Sequence, residues 1–220
     1  MTDQQQSPIN LQNAIYADFG SEGLSIHWDG DILGHVRKDE HGVKVEFASD
    51  VRQYITIGSK RFHLRQFHFH HPSEHWVDGE QYTMELHLVH QNVDDGSLAV
   101  IGVFIEPGNA RAAFPSLMTQ IETVLGAGSH EELEPKVLTD PWNFLPKTWE
   151  QHFRYQGSLT TDPFTESVSW VVLKDPTLMP TKKLMELLEL FQSEARFPQP
   201  LNRRYILKTF DATKPSKRKK

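Results

Sequence analysis

The sequence predicts a β-dominated α+β protein: a single domain with helices at its edges. Three observations predict it. Short segments of alternating or continuous apolar character recur along most of the chain, only two stretches carry helical periodicity, and no repeat or low-complexity linker divides the 220 residues. That length fits one large domain with a substantial core, and thirteen Phe and five Trp supply its bulk.

In chain order, the strand segments are "GLSIHW", "GVKVEF", "YITIG", "FHLRQFHFH", "TMELHLVH", "LAVIGVFI" and "VSWVVL". Each is period-two, or a short apolar run bounded by turn residues. Residues 116–125, "SLMTQIETVL", put Leu117, Ile121, Val124 and Leu125 on one helical face, with Gly126 as the stop. Residues 181–192, "TKKLMELLELFQ", do the same with Leu184, Leu187, Leu188 and Phe191, and Thr181 serves as N-cap. The domain is assigned to residues 1–213. The tail at 214–220 is a basic run, read as a solvated, disordered end.

Charge and composition exclude several classes. A net charge of −6 disfavours a general nucleic-acid binder. No apolar run approaches a membrane span, and "MTDQQQSPIN" lacks the regions of a signal peptide. The absence of cysteine removes disulfides and thiolate metal sites and favours the cytoplasm, although a mature periplasmic or secreted chain would look similar. Monomer and homodimer are both compatible with the sequence.

Six of the twelve histidines fall between Arg65 and His90. On a strand, alternate side chains share a face. Gln66, His68 and His70 therefore point one way, and Phe67 and Phe69 the other. On the next strand Glu85, His87 and Val89 share a face. Antiparallel pairing lets His68, His70 and His87 converge. Three imidazoles without a fourth protein ligand describe a catalytic metal site with an open position; imidazole suits zinc, iron or copper. Gln66 and Glu85 each lie two residues from a proposed ligand, placed to accept its second ring N–H. His63, His71, His75 and His90 fall on the other face or in the connection and read as structural or surface histidines.

At this point the chain resembles the α-class carbonic anhydrases over nearly its whole length. The matching pieces are "QSPIN", "QFHFHHPSEH", "ELHLVH", "LAVIGVF", "GSLTTDP" and "QPLNRR", in the family's order and spacing. The resemblance implies a large twisted, mostly antiparallel central sheet with peripheral helices. It implies Zn2+ on His68, His70 and His87, reversible hydration of CO2 to bicarbonate and a proton through zinc-bound hydroxide, and a side activity on activated esters. Thr160 would accept a hydrogen bond from that hydroxide, and Glu74 would accept the Thr160 proton. Val89, Val100, Leu159, Val168 and Trp170 match the CO2 pocket, Thr161 a neighbouring polar position, His75 a support for Glu85, and His41 the proton shuttle. The small-molecule partner is CO2 or bicarbonate.

Departures from the family pattern accompany the match. The usual bacterial cysteine pair is missing, with Phe164 at its second position, and the aromatic segment before "QSPIN" has no counterpart. Asp39 and Lys44 stand where the family has cavity asparagines. Two other readings use the same residues. A cupin would ligate metal through His68, His70 and Glu74, but Gly58 lies too far before and Gly79 too close after for that motif. A non-catalytic carbonic anhydrase-like domain would typically have lost a zinc histidine.

Overall fold

Strand β7 (Lys60–His70) carries the histidine motif at the middle of the principal sheet. The computed structural model describes residues 4–39, 42–48, 52–109, 117, 119–121, 123, 136–190 and 195–211. Before β7 come β1 (Asn10–Leu11), β2 (Ile15–Tyr16), β3 (Leu24–His27), β4 (Ile32–Asp39), β5 (Gly42–Glu46) and β6 (Tyr54–Ile57). After it come β8 (Trp76–Val77), β9 (Glu80–Gln81), β10 (Met84–Gln91), β11 (Leu98–Pro107) and β12 (Lys136–Thr139). The chain continues through β13 (His152–Ser158), β14 (Glu166–Leu173), β15 (Thr177–Met179), helix α1 (Thr181–Leu190) and β16 (Leu207–Lys208).

Among the described residues, thirteen strands form one sheet in the order β12-β4-β5-β7-β10-β11-β14-β13-β16-β2, with β3, β6 and β15 attached off that path. Neighbours are mostly antiparallel. The exceptions in this sheet are β11 against β14 and β15, and β16 against β2. The sheet is therefore the large, mostly antiparallel one expected, and all seven expected strand segments lie in it. α1 occupies the expected second helix and buries Leu184 and Leu187. Thr181 is its first helical residue rather than the one before it, since Leu184 N donates to Pro180 O. In the first expected helix, residues 117, 119–121 and 123 are helical, with Leu117 and Ile121 buried. Val124, Leu125, Phe191 and the 214–220 tail lie outside the described residues.

Among strands of four or more residues, three escape the apolar pattern: β4, β12 and β13. Two of them share a physical reason. In β4 the inward positions are Ile32, Gly34 and Val36, and a Cβ on Gly34 would collide with Val45 and Phe47. In β13 they are Phe153, Tyr155 and Gly157, and a Cβ on Gly157 would meet Ser7 Oγ and lie 2.8 Å from the Tyr155 ring. Packing forces a glycine into each alternation and hides it.

Each face of the sheet buries its own core. Phe67, Phe69, Leu86 and Leu88 belong to the larger one, where Phe67 packs on Phe144 at 4.9 Å between ring centroids. Val89, Val100, Val168 and Trp170 belong to the smaller one on the opposite face. The ladder register shifts between Val89 and His90. His90 is fully buried there, parallel to the Trp28 ring at 6.0 Å, with Nδ1 donating to Leu88 O.

Burial lowers the pKa of His90 to about 3 and that of His152 to about 4. Both stay neutral in the folded chain at pH values where an unfolded histidine, with a pKa near 6.5, takes a proton. The folded state therefore loses stability as pH falls below about 6.5, on the order of 2 kcal/mol per residue by pH 5. Urea midpoints at pH 7 and 5 should show this drop. His152→Phe should flatten its share of it; a pH profile identical to that of the parent would exclude His152 as a source.

Candidate metal centre

The site starts from the ladder between β7 and β10. His87 pairs with His68 and Glu85 with His70. With Phe67, Phe69, Leu86 and Leu88 committed to the large core, the polar positions face the other way. Ligand atoms of His68, His70 and His87 all lie within 4.8 Å of one another. The ring centroids are 4.6 Å apart for His70 and His87, 4.8 Å for His68 and His70, and 5.2 Å for His68 and His87.

The residues around the rings fix which nitrogen each presents. Gln66 Oε1 lies 2.8 Å from His68 Nδ1, leaving Nε2 free. Glu85 Oε1 approaches His87 Nε2 at 3.0 Å, an ion-pair distance without hydrogen-bond alignment, leaving Nδ1 toward the centre. Both ring nitrogens of His70 are buried with no hydrogen-bond partner among the described residues. Buried nitrogens are rarely left so, and a cation taking neutral imidazole donors fits them. A second grouping, His75, Glu85 and His87, also comes within ligand distance. It is a poorer metal site, because His75 has spent both nitrogens: Nδ1 on Glu85 Oε1 and Nε2 on Tyr155 Oη, each at 2.7 Å.

Glu85 is completely buried, and burial pushes its carboxyl up. His75 and His87 outweigh this and hold it well below the usual range. Its Oε2 also accepts from the backbone N–H of Glu74 at 3.0 Å and of His75 at 2.8 Å. The space for it exists because residue 102, opposite His87 on β11, is glycine. A Cβ there would sit 2.7 Å from Glu85 Oε1. Burial lowers His68 and His70, and neighbouring imidazoles lower them further, so both are neutral donors. His87 moves the other way, because Glu85 overcomes its burial.

Glu74 and Thr160 are buried beside the rings. Glu74 Oε2 is 3.4 Å from His70 Nε2 and 3.9 Å from His87 Nδ1, while Oε1 accepts from the Arg196 backbone N–H at 3.0 Å. Burial raises the Glu74 carboxyl; His87, the Thr160 hydroxyl and the Arg196 N–H oppose that rise. Thr160 thus interacts with the carboxylate, although Glu74 Oε2 has no well-aligned donor.

The pocket candidates form a wall. Val89 pairs with Val100, Val100 with Trp170 and Leu98 with Val168 across β10, β11 and β14. Leu159 packs against them partly buried, and Thr161 lies beyond it in the turn closed by Phe164 N donating to Thr161 O. Of the remaining histidines, His71 bonds Thr83 O and His63 sits against Tyr54. His41, Asp39's side chain and Glu40 lie outside the described residues. Two cavities, of about 590 and 440 Å³, lie elsewhere: one by Tyr16, Trp149 and His152, the other by Ile15, Pro198 and Tyr205. Neither is lined by His68, His70 or His87.

Sequence reasoning gave no role to Ser7, Tyr155, Arg196 or Gly102. Tyr155 Oη donates to Ser7 Oγ at 2.7 Å, and Arg196 reaches Gln6 Oε1 at 2.9 Å and Ser7 O at 2.7 Å. Ser7 stands in a quoted motif, and Tyr155 on the inward parity of β13. The Arg196 contact to Glu74 is a backbone one, so no side-chain signal could announce it.

Residues 1–210 match the family model of eukaryotic-type carbonic anhydrase. A carbonic anhydrase of Nostoc sp. is 35% identical over 203 residues, covering 92% of this chain and 75% of that one. Human carbonic anhydrase 7 is 32% identical over 240 residues, covering 94% and 89%. The solved complex of the α-carbonic anhydrase from Thermovibrio ammonificans with the inhibitor sulfanilamide superposes with a TM-score of 0.76 at 34% identity, covering 92% of this chain and 86% of that one. With the family's fold, its motifs in order and its histidines on paired strands, this chain belongs to the eukaryotic-type, or α-class, carbonic anhydrases.

Proposed function

We propose that the chain catalyses the zinc-dependent reversible hydration of CO2 to bicarbonate and a proton, with activated esters as secondary substrates. The carrying observation is the convergence of His68, His70 and His87 within 4.8 Å beside the apolar wall of Val89, Val100 and Trp170. Those three imidazoles would hold Zn2+. When bound, zinc supplies Lewis acidity that lowers the pKa of a coordinated water to about 7, a magnitude that belongs to carbonic anhydrase zinc in general.

The remaining work falls to the chain. Thr160 commits its hydroxyl proton to Glu74, so Oγ1 offers lone pairs to the site. It therefore admits and aims groups that carry an O–H or N–H and disfavours those that cannot donate. That is orientation catalysis. Glu74 holds this direction because the Arg196 N–H keeps its carboxylate supplied with a donor. CO2 carries neither charge nor donor, and the valines and Trp170 give it a surface that costs no polar desolvation. Thr161 lies at the polar rim of that surface. His41 is assigned the proton relay on sequence position alone. The direct test is a metal count with a CO2-hydration assay: one zinc per chain and activity that disappears on chelation support the reading, and a zinc-loaded but inert protein overturns it.

Removing His87 as Ala should strip zinc retention and most activity. Glu85→Ala should cost about 10–100-fold in zinc affinity or turnover, since it orients a ligand rather than being one. A zinc-chelator competition assay reads both, and full retention in the His87 variant would displace the assignment. The same assay tests the glycine beneath Glu85. Gly102→Ala should weaken zinc retention, and shortening the carboxylate in a Gly102→Ala/Glu85→Asp double variant should recover part of the loss; simple additivity of the two would show no steric coupling. Thr160→Ala should lower turnover while zinc stays bound, and should weaken inhibition by primary sulfonamides, whose ionised nitrogen still carries one N–H. Unchanged sulfonamide affinity would remove Thr160 from the selecting role.

A further inference from the structure

We propose that the Arg196 side chain is a positioning group for the Thr160–Glu74 pair, and that it thereby sets how strictly the metal centre selects ligands carrying an O–H or N–H. This deepens the catalytic reading above and rests on it.

Arg196 reaches both halves of that pair. Its backbone N–H donates to Glu74 Oε1 at 3.0 Å. Its guanidinium lies over the Phe164 ring, with Cζ 4.0 Å from the centroid. Phe164 closes the turn directly after Thr160, where its N–H donates to Thr161 O at 2.8 Å. From the same guanidinium, Nη1 donates to Ser7 O at 2.7 Å and to Gln6 Oε1 at 2.9 Å. The Gln6 amide carries the link onward, because its Nε2 donates to Phe164 O at 3.1 Å. Ser7 N donates to Ser158 Oγ, two residues before Thr160. One side chain therefore ties residues 6–7 and 158–164 to the backbone that feeds Glu74.

The segment needs such a tie. Residues 195–206 belong to no strand or helix, so no ladder aims the Arg196 N–H. The neighbouring Phe197 is 77% exposed and adds no apolar anchor. Glu74 Oε2 has no well-aligned donor among the described residues, so the N–H on Oε1 carries the orientation of the carboxylate. Phe164 has a φ of 56°, in the left-handed region that a bulky residue rarely adopts unless its surroundings hold it there. The guanidinium on its ring and the Gln6 amide on its carbonyl supply that hold.

Selection by Thr160 requires its proton to stay on Glu74, with Oγ1 facing the site as an acceptor. If either partner loosens, Oγ1 loses its direction. A ligand that donates to Oγ1 then loses a hydrogen bond, and a ligand that donates nothing loses nothing. The signature of Arg196 is the ratio of those two affinities, whereas general damage to the site would lower both together.

The probes are a primary aromatic sulfonamide, whose ionised nitrogen keeps one N–H, and thiocyanate, which has no hydrogen. Calorimetry on zinc-loaded protein gives both dissociation constants, with zinc content checked in every variant. Arg196→Met keeps the apolar stem without the donors. It should weaken the sulfonamide about 3- to 10-fold, the worth of one hydrogen bond, and leave thiocyanate within about 2-fold. Arg196→Lys should stay within about 3-fold of the parent, because one ammonium can make both bonds that Nη1 makes. In a Thr160→Ala background, Arg196→Met should add less than about 2-fold, since the two act through one chain of contacts. Gln6→Leu, which cuts the link to the Phe164 carbonyl, should move the ratio in the same direction and decides the matter where Arg196→Met does not fold. An unchanged ratio in Arg196→Met, or in Gln6→Leu where that variant decides, overturns the proposal. So does additivity with Thr160→Ala, or equal loss in the Met and Lys variants, which would mark the stacking on Phe164 as packing alone. If Thr160→Ala weakens the sulfonamide while the Arg196 and Gln6 variants leave the ratio unmoved, only this inference fails. A parent that retains no zinc, or shows no hydration activity, overturns the catalytic reading and this one with it.

Discussion

The register of β7 against β10 is the constraint on which the site depends. Because strand side chains alternate with period two, a slip of one residue would carry every side chain of one strand to the opposite face. His87 would then enter the large core, and Leu86 or Leu88 would replace it at the centre. What prevents the slip is apolar. Phe67, Phe69, Leu86 and Leu88 all sit within 2% of complete burial on the far face, and burying each such side chain contributes about 1.5–3 kcal/mol. The three imidazoles are thus positioned by residues on the opposite face of the sheet. The ladder irregularity falls at Val89/His90, past His87 on β10. His90 is then free to pack on Trp28 without disturbing His87.

Glu85 turns that positioning into chemistry. An isolated carboxylate at 0% exposure would be very costly. This one is kept ionised by two imidazoles and two backbone N–H groups, all within 3.0 Å. The same charge that stabilises it draws His87 Nε2 toward itself and turns Nδ1 to the centre. Removing either imidazole would leave a buried charge short of a partner, which is more damaging than removing an exposed pair. Gly102 belongs to this arrangement as much as His75 does: one supplies a hydrogen bond and the other supplies room.

How far the sequence disclosed this depended on whether a feature is written in side chains. The seven strand segments were legible because their apolar positions alternate, and the three histidines because His68-x-His70 is repeated by a third imidazole of matching parity. Glu85 and Gln66 followed from parity as well. β4 and β13 were not legible, since Gly34 and Gly157 replace the residue that would complete each pattern, and the reason lies in distant contacts with Phe47 and Ser7. The Arg196 N–H on Glu74 joins residues 122 positions apart through a backbone atom, and no local pattern encodes that.

The most distant part of the support reaches the beginning of the described chain. Ser7 and Ser158 exchange hydrogen bonds, Ser7 N to Ser158 Oγ at 2.9 Å and Ser158 N to Ser7 Oγ at 3.0 Å. Ser7 Oγ also takes the Tyr155 hydroxyl, which leads through His75 to Glu85 and His87. Thr160 lies two residues beyond Ser158. One serine therefore braces both sides of the centre: the carboxylate beside His87 and the turn that carries Thr160. The function proposed above needs the two in a common frame, because the selecting hydroxyl loses its aim if either moves independently. The close approach this requires is possible only because residue 157 has no Cβ. The same absence that hid β13 from the alternating pattern allows the brace to form.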